Sequence, residues 1–447
     1  MNQQLSAVLR GIFNEILPQY GFVPRGNQTE LAEEILAALS SSDVLLAEAE
    51  VGTGKTLAYL IPAVLTRRSS KTESPAPIVI ATSSIALQRA IELDCIPKLS
   101  EILLGHGVIS TPLTCVLRKG KSHFVCERRL GHFYFFADDE TKSALKPLLH
   151  CGFLDLDAAK NLTPHQKHAV CVAGLCGRGC PRRRECRYLR YLRQARSVGQ
   201  DFQICNHNYL LADVLRRAKK LPPLIPDYSA VVLDEAHKFA DAARQMYGCG
   251  LLLADVVDAA NTARELTFVP GVATAEMRTL AGKLRSKGEL LFRLLGKKVP
   301  EITDESGDAE RFATAIREKT DRLIRALKKD VDALAELIES KPSTSRCAPK
   351  AAELCRTLEQ ISDGLARFSR HGELVYWLER GAGGELTALR GIPKELGKML
   401  HRDLWSMRVP FVLTSGTLAA AGSFDHLKRK LGLDRVSPQK LHETAKP

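Results

Sequence analysis

Residues Ala49-Glu50-Val51-Gly52-Thr53-Gly54-Lys55-Thr56 decide the fold of this chain. Gly52 and Gly54 permit a turn tight enough to point backbone N–H groups at phosphate oxygens, with Ala49 in place of the first glycine of the general pattern. Lys55 supplies a positive charge, and the hydroxyl of Thr56 can bind Mg²⁺. The segment therefore has the features of a phosphate-binding loop.

The residues on either side of this loop have the composition of a strand and a helix. Val44-Leu45-Leu46-Ala47 predicts a short buried strand that enters the loop. Leu57-Ala58-Tyr59-Leu60-Ile61 predicts the helix that leaves it. This order of elements predicts an α/β fold.

A second motif, Asp234-Glu235-Ala236-His237, follows the apolar run Ala230-Val231-Val232-Leu233. At the end of a buried strand, Asp234 is expected to hold the metal ion and Glu235 to polarise the attacking water. Lys55 and His237 complete the predicted catalytic set. Each motif alone also arises for structural reasons, but together, in this order, they predict binding of ATP and Mg²⁺.

Composition places the chain among ordinary soluble proteins of two to four domains, with 447 residues, 45% of them hydrophobic and 26% charged. The N-terminus lacks the pattern of a secretory signal, and no apolar run approaches the length of a membrane span. We therefore expect a cytoplasmic protein with no membrane partner. A net charge of +13 favours a polyanionic partner, although a basic surface also serves solubility.

The chain has twelve cysteines, and in a cytoplasmic protein they are not expected to form a disulfide framework. Four stand out because three lie close together in a Gly- and Arg-rich segment and one lies upstream: Cys126, Cys176, Cys180 and Cys186. Four thiolates suit either a tetrahedral zinc or an iron–sulfur cluster. The absence of paired two-residue gaps favours iron–sulfur slightly, with Cys171 as a rival ligand and Cys151 as a weaker one.

The order of these motifs resembles that of the iron–sulfur superfamily 2 helicases of the DinG and XPD type. It comprises the phosphate loop, Lys119-Gly120-Lys121-Ser122 leading to Cys126, the three further cysteines, Asn206-His207-x-x-Leu210-Leu211 and Asp-Glu-Ala-His. The resemblance implies an ATP-dependent 5′-to-3′ DNA helicase with a RecA-like motor domain. It also implies that the four cysteines hold a [4Fe-4S] cluster.

Three further segments carry the resemblance and assign residues by it. Arg25-Gly26-x-Gln28 resembles the adenine-reading motif, which with Gly52, Thr53, Gly54, Lys55 and Thr56 forms the expected ATP site. Ala81-Thr82-Ser83 resembles a DNA-contacting segment, so Thr82 and Ser83 are expected to bind DNA. Leu413-Thr414-Ser415-Gly416-Thr417-Leu418 resembles the coupling motif III, with Thr414, Ser415 and Thr417 as its polar members.

The resemblance and the apolar spacing divide the chain into segments. We expect the first motor domain in residues 1–120 and 200–245, an iron–sulfur insertion in 121–199, a mostly helical Arch-like insertion in 246–371, and a return to the motor domain with motif III in 372–447. Apolar residues recur at helical spacing in this insertion, with Phe312 and Ile316 among the first of them. A hairpin is expected around Gly381-Ala382-Gly383-Gly384.

Basic residues concentrate around Cys186, the last of these four cysteines: Arg182, Arg183, Arg184, Arg187, Arg190, Arg193 and Arg196. With Tyr188 and Tyr191 they combine charge and stacking rings, as in a channel for single-stranded DNA. The alternative is a solvated basic helix. A second patch, Arg216-Arg217-x-Lys219-Lys220, is taken first as ordinary surface charge.

No Gln-x-x-Gly-Arg-x-x-Arg segment, the usual source of transition-state arginines in a second motor domain, occurs in the sequence. We therefore expect either a fragment of a longer helicase or a natural half-motor completed by a separate second motor domain or chain. The expected partners are single-stranded DNA and DNA forks. Two alternatives remain: a regulatory module that binds nucleotide and DNA without turnover, and a redox sensor that controls DNA affinity.

Overall fold

The computed structural model describes residues 2–50, 52–70, 75–150, 155–159, 161–172, 180, 182–197, 199–266, 274–297, 310–340, 348–368, 373–381, 385–420 and 422–446. The strands of this part are β1 Val44–Ala49, β2 Ile78–Thr82, β3 Cys115–Leu117, β4 Phe202–Cys205, β5 Ala230–Asp234, β6 Cys249–Leu252, β7 Glu310–Thr314, β8 Leu374–Arg380, β9 Leu386–Pro393, β10 Phe411–Ser415 and β11 Leu441–Lys446.

The α-helices of the same residues are α1 Asn2–Gly11, α2 Gly26–Ser41, α3 Lys55–Arg68, α4 Ile85–Ala90, α5 Ile96–Gly105, α6 Glu127–Phe136, α7 Asp139–His150, α8 Pro164–Val170, α9 Arg187–Ala195, α10 His207–Ala218, α11 Phe239–Tyr247, α12 Leu253–Glu265, α13 Thr274–Gly296, α14 Glu318–Ser340, α15 Ala348–Arg367, α16 Leu396–Leu400 and α17 Asp425–Leu431. Short 3₁₀ and π turns extend several of them.

The chain folds into two units. The first unit comprises residues 1–119, 192–246 and 395–447, and the second comprises 120–191 and 247–394. Across the described residues, no helix is long and apolar enough to cross a membrane.

A seven-stranded sheet in the order β11-β1-β10-β5-β2-β4-β3 forms the centre of the first unit. Every neighbouring pair in it is parallel. Every residue of β2, β5 and β10 is buried, as expected for central strands covered on both faces. The sequence predictions of an α/β fold and of strands at 44–47 and 230–233 are confirmed.

The second unit contains a four-stranded antiparallel sheet in the order β6-β9-β8-β7. Its main core joins that sheet to α12–α15 through buried residues such as Leu284, Leu327 and Leu358. Residues 125–171 have a smaller core of their own around Leu130, Leu145 and Val170.

The predicted hairpin is confirmed, because β8 and β9 pair antiparallel on either side of residues 382–384. Both strands belong to the sheet of the second unit, and the chain returns to the first unit at Glu395, whereas the sequence prediction placed that return at residue 372. Phe312, expected in a helix, lies on β7 opposite Leu378, because residues 310–314 alternate in exposure with period two.

A close contact between two glycines fixes the segment that follows β10. Gly432, which caps α17, has φ +75°, and a Cβ there would lie 1.9 Å from the carbonyl oxygen of Gly397 in α16. Gly422 has a similar φ of +78°, but within the part of the chain that the structure describes no neighbouring atom lies within 4 Å of a Cβ placed there. The two sites therefore separate backbone strain from steric overlap.

We predict that Gly432→Ala lowers the apparent Tm clearly more than Gly422→Ala. Each substitution carries the cost of a left-handed alanine, about 1–2 kcal/mol, but only Gly432→Ala also forces α16 and α17 apart. Thermal unfolding followed by circular dichroism measures the difference. Equal losses of Tm in the two variants would contradict the close approach of these helices.

Candidate functional site

The phosphate loop between β1 and α3 has the backbone that its glycines predict. Gly52 and Gly54 have φ of +96° and +83°, in the left-handed region. Gln28 Nε2 donates to the carbonyl oxygen of Gly54 at 2.8 Å, and a Cβ on Gly54 would lie 2.1 Å from that nitrogen. Gly54 is thus required both by the turn and by the approach of Gln28, and the structure brings the two predicted ATP-site residues together.

Carbonyl groups of the loop hold the Lys55 ammonium. Lys55 Nζ donates to the carbonyl oxygens of Ala49 at 2.8 Å and Glu50 at 3.0 Å. Thr53 Oγ1 donates to the same Glu50 oxygen at 2.7 Å. Phosphate oxygens are charged acceptors and bind an ammonium more strongly than neutral carbonyls do, so a bound phosphate can take Lys55 from the loop.

Asp234 lies in a row of side chains across the central strands. In the strand register it is opposite Thr82 of β2 and Thr414 of β10, and Thr414 is opposite Ala47 of β1. Directly paired residues of neighbouring strands project from the same face of a sheet. The pairing therefore brings Asp234 to the end of the sheet at which the phosphate loop begins.

The carboxylate of Asp234 is 2% exposed and has two hydrogen bonds. Its Oδ1 accepts the N–H of Glu235 at 2.9 Å, and its Oδ2 accepts the hydroxyl of Tyr59 at 3.4 Å. Burial raises the pKa of Asp234 to about 6, while the Glu235 N–H and the Lys55 charge oppose that rise. Asp234 is therefore mainly ionised at pH 7 but in an environment that disfavours its charge.

Glu235 has a left-handed backbone with φ +53°, which is strained for a residue with a side chain. Its Oε2 lies 3.2 Å from Nδ1 of His237, and that nitrogen lies 2.7 Å from Oγ of Ser415. Ser415 Oγ also accepts the N–H of Thr417 at 3.3 Å. The structure thus joins the predicted catalytic residues to the predicted coupling motif.

Glu48 is a functional candidate that sequence reasoning missed. Its Oε2 accepts the backbone N–H groups of Leu418 and Ala419, the latter at 2.5 Å. Glu48 also pairs with Ser415 between β1 and β10. A single acidic residue in an otherwise apolar strand, one residue before the loop, is the signal that marks it.

Two buried polar residues beside Asp234 were also not assigned. Tyr59 is completely buried in α3; its hydroxyl donates to Asp234, and the side chain of Thr56 also interacts with it. His207 Nε2 lies 2.8 Å from the carbonyl oxygen of Asp234, and burial lowers the pKa of His207 to about 4. His207 is therefore neutral at pH 7 and supports the backbone of the motif without adding charge.

The residues at this edge suit a magnesium ion bound with nucleotide. Mg²⁺ is usually held by one or two carboxylates, phosphate oxygens and waters. Asp234 supplies a carboxylate that is mainly ionised at pH 7, and Thr56 supplies a hydroxyl at the start of α3. Both donors are of the expected hard-oxygen kind, and Tyr59 touches both.

The remaining predicted residues of the first unit differ in accessibility. Arg25 is exposed immediately before α2, and its carbonyl accepts the N–H of Gln28 at 3.1 Å. Thr82 is completely buried beside Asp234, so its predicted contact with DNA stays a prediction and would need the side chain to become accessible. Ser83 is half-buried, and its hydroxyl oxygen has no hydrogen-bond partner among the described residues. Thr414 is buried and Thr417 is exposed.

Two predicted cluster ligands stand at the starts of two neighbouring helices. Cys126 immediately precedes α6, and Cys186 immediately precedes α9. Arg187 Nε forms an ion pair with Glu127 Oε1 at 2.5 Å, so the first residues of both helices are joined. The structure therefore places two of the four predicted ligands at helix starts that are joined by an ion pair.

The other cysteines considered as ligands have different surroundings. Cys180 is half-buried in the segment before α9, and Cys171 is buried, with its carbonyl oxygen accepting Arg129 Nη1 at 3.1 Å. Burial raises the pKa of the Cys171 thiol. Cys176 and Cys151 lie outside the described residues. Within the described ranges, no three His, Cys, Asp or Glu side chains are grouped so that they could hold a metal ion.

The predicted DNA-binding arginines separate into two groups. Arg182, Arg183 and Arg184 are exposed, whereas Arg187 is held by Glu127. Among the expected stacking rings, Tyr188 is buried, with its centroid 5.3 Å from that of Phe124, so the prediction that it offers a face to DNA is wrong.

The second basic patch contributes to the packing of the first unit. Arg217 forms ion pairs with Asp213 and Asp227, and Arg216 Nε donates to the carbonyl oxygen of Pro222. These contacts favour a structural role for the patch over a role in binding DNA.

Comparison with known proteins finds helicases among those similar to this chain. Residues 26–112 match the model of the DEAD/DEAH box helicase family. The chain is 25% identical over 439 residues to the ATP-dependent DNA helicase YoaA of Haemophilus influenzae, covering 94% of this chain and 64% of that protein. It is 24% identical over 485 residues to the ATP-dependent DNA helicase DinG of Escherichia coli, covering 92% and 63%.

The fold has a counterpart among solved structures. An XPD helicase aligns with a TM-score of 0.50 and 12% identity, covering 94% of this chain and 62% of that one, which is a similarity of fold. The predicted resemblance to DinG- and XPD-type helicases is confirmed. The chain spans about two thirds of the length of these relatives.

We predict that Asp234→Asn stabilises the nucleotide-free protein at pH 7.5. The folded-state pKa of Asp234, about 6, lies above its ordinary value of 3.8, so its contribution to stability is complete below pH 3.8 and is lost as the pH rises through 6. Asparagine removes this loss, at most about 3 kcal/mol.

The apparent Tm of Asp234→Asn and of the original protein, measured from pH 4.5 to 7.5, tests the prediction. The gain should shrink towards pH 4.5. Asp241→Asn, at a side chain that is 71% exposed, is the matched control and should change little. A variant that is less stable than the original protein at pH 7.5 would contradict the prediction.

Proposed function

We propose that this chain is the ATP-binding part of a DinG/XPD-type DNA helicase, which couples ATP hydrolysis to 5′-to-3′ movement on single-stranded DNA. The observation that carries the proposal is the continuous set of contacts from the phosphate loop to motif III. Lys55 lies in the loop, and Asp234 and Glu235 lie at the end of β5. His237 is bonded to Ser415.

In the proposed reaction the loop N–H groups and Lys55 bind the phosphates, and Gln28 and Arg25 bind the base. Mg²⁺, when bound by Asp234 and Thr56, neutralises charge on the phosphate oxygens. Glu235 accepts a proton from the attacking water. His237 and Glu48 transmit the state of the site to residues 415–419, because they hold that segment from two sides.

We infer that complete motor activity needs a second motor domain. The described residues contain one parallel sheet with a phosphate loop. The Gln-x-x-Gly-Arg-x-x-Arg segment that usually carries the transition-state arginines is absent from the sequence. Such an arginine contributes on the order of 10³–10⁵ in rate.

Single-stranded DNA is the proposed partner of the exposed residues Arg182, Arg183 and Arg184. DNA forks, which contain single strands, are the proposed physiological partner. The exposed charges suit contacts to phosphates, which position a strand without reading its sequence. Ser83 remains a candidate contact on the first unit.

A [4Fe-4S] cluster is proposed for Cys126, Cys176, Cys180 and Cys186. The support is the resemblance of the motif order and the placement of Cys126 and Cys186 at joined helix starts. When bound, such a cluster would cross-link the segments that carry these four cysteines and so help to order the neighbouring residues that carry the arginines.

We predict that residues 1–447 bind ATP and single-stranded DNA but turn ATP over slowly. Fusion of a second motor domain from a DinG relative should restore DNA-stimulated ATPase and 5′-to-3′ unwinding.

In that fusion Glu235→Gln should retain nucleotide binding and lose hydrolysis, because it keeps the size of the side chain and removes the base. Lys55→Ala should weaken nucleotide binding itself.

Steady-state ATPase with and without DNA, nucleotide titrations and forks of defined polarity measure these effects. Unchanged turnover in Glu235→Gln would remove its assignment as base. A fusion that binds nucleotide tightly without any turnover would favour the alternative of a regulatory module.

We also predict that anaerobically purified protein is brown and contains about four iron and four sulfide per chain. Cys180→Ser should bleach it, whereas Cys151→Ser should not. Iron and sulfide analysis and the visible spectrum are the measurements. Stoichiometric zinc without sulfide would contradict the cluster, and bleaching by Cys171→Ser but not by Cys126→Ser would exchange those two ligands.

A further inference from the structure

Tyr59 is a polar residue in an otherwise apolar stretch of α3, and the proposed catalytic set does not include it. Residues 58–61 are completely buried, with Tyr59 at 0% exposure. Burying a phenolic hydroxyl without a hydrogen-bond partner is unfavourable, so a tyrosine at such a site normally has a specific partner. Leucine or phenylalanine would fill the same space without that requirement.

The partners of this hydroxyl are the two residues proposed to hold Mg²⁺. Tyr59 donates to Oδ2 of Asp234 at 3.4 Å, across 175 residues of sequence. The side chain of Thr56, three residues earlier on the same face of α3, also interacts with this hydroxyl and acts against the rise that burial causes in the pKa of Tyr59. When Thr56 donates its hydrogen to the phenolic oxygen, the lone pairs of Oγ1 are left for a cation.

We propose that Tyr59 is a positioning residue for Mg²⁺, which aligns the Asp234 carboxylate and the Thr56 hydroxyl so that both face one ion. This inference rests on the proposed function, because it needs nucleotide and Mg²⁺ at this edge. Groups that orient metal ligands in this way typically change metal affinity by about 10–100-fold when they are removed.

The geometry also explains why one hydroxyl serves both ligands. Asp234 Oδ1 is already bonded to the N–H of Glu235, so Oδ2 is the oxygen whose direction Tyr59 controls. Thr56 is the second residue of α3, and Asp234 is the last residue of β5. Tyr59, the fifth residue of α3, interacts with both side chains and so links them.

Tyr59→Phe removes the hydroxyl and keeps the ring. Nucleotide binding is measured with a fluorescent ATP analogue, first with EDTA and then in a titration with Mg²⁺. We expect binding in EDTA to be unchanged and the Mg²⁺ concentration for half-maximal enhancement to rise about 10-fold. A residue that only packs the core would not change the Mg²⁺ dependence selectively.

Tyr228→Phe is the matched control, because Tyr228 is also buried in the first unit and its hydroxyl donates to Met407 Sδ, away from the site. Equal Mg²⁺ dependence in Tyr59→Phe, Tyr228→Phe and the original protein would overturn the inference while leaving the proposed function intact. If the original protein shows no Mg²⁺-dependent nucleotide binding, the proposed function fails and this inference fails with it.

Two further variants keep the test decisive. In an Asp234→Asn background, Tyr59→Phe should add little to the loss of Mg²⁺ enhancement, because its main partner is already changed. Full additivity of the two substitutions would contradict the proposed linkage.

If Tyr59→Phe does not fold, Tyr59→Met replaces it, because methionine also lacks a hydroxyl and adapts its shape. It is expected to give the same selective effect, and an unchanged Mg²⁺ dependence in this variant would overturn the inference.

Discussion

The register of the parallel strands β1, β10, β5 and β2 is the constraint on which the candidate site depends. Ala47, Thr414, Asp234 and Thr82 are opposite one another in that register. Because all four strands are parallel, their carboxyl ends lie along one edge of the sheet, where ligands of open α/β sheets usually bind. A slip of one residue in β5 would turn Asp234 to the opposite face of the sheet. The backbone pairing of these strands therefore brings distant segments together, and contacts of Tyr59, His237 and Glu48 then link them further.

The same edge concentrates unfavourable electrostatics and backbone strain. Asp234 has a raised pKa because it is buried, and Glu235 has a left-handed backbone. The neutral His207 and the hydroxyl of Tyr59 satisfy hydrogen bonds without adding charge. A cation bound here would relieve the cost of the buried carboxylate, so folding and ligand binding make opposite demands on this group. Such conflicts are common at functional sites, where stability is lost in favour of binding.

The second unit is stabilised by other kinds of contact. Its helices α12–α15 and its antiparallel sheet share an ordinary apolar core. The segment with the cysteines depends more on polar links: Arg187 joins α9 to Glu127 at the start of α6, and Arg129 holds the carbonyl of Cys171. A metal group bound by cysteines of this segment would add covalent cross-links to these ion pairs and hydrogen bonds and so contribute to its folding.

Local sequence patterns by themselves determined the phosphate loop, the buried strands and the position of the acidic motif. Glycine conformations and runs of apolar residues act over a few residues, so their consequences can be read without the fold. Tertiary structure alone decided which polar residues are accessible and which are partnered. Thr82 and Tyr188 are buried. Glu48 accepts a hydrogen bond from a residue 371 positions away, and Tyr59 donates to one 175 positions away. The physical reason is that burial and long-range hydrogen bonding depend on strand order and helix packing, which no local pattern specifies.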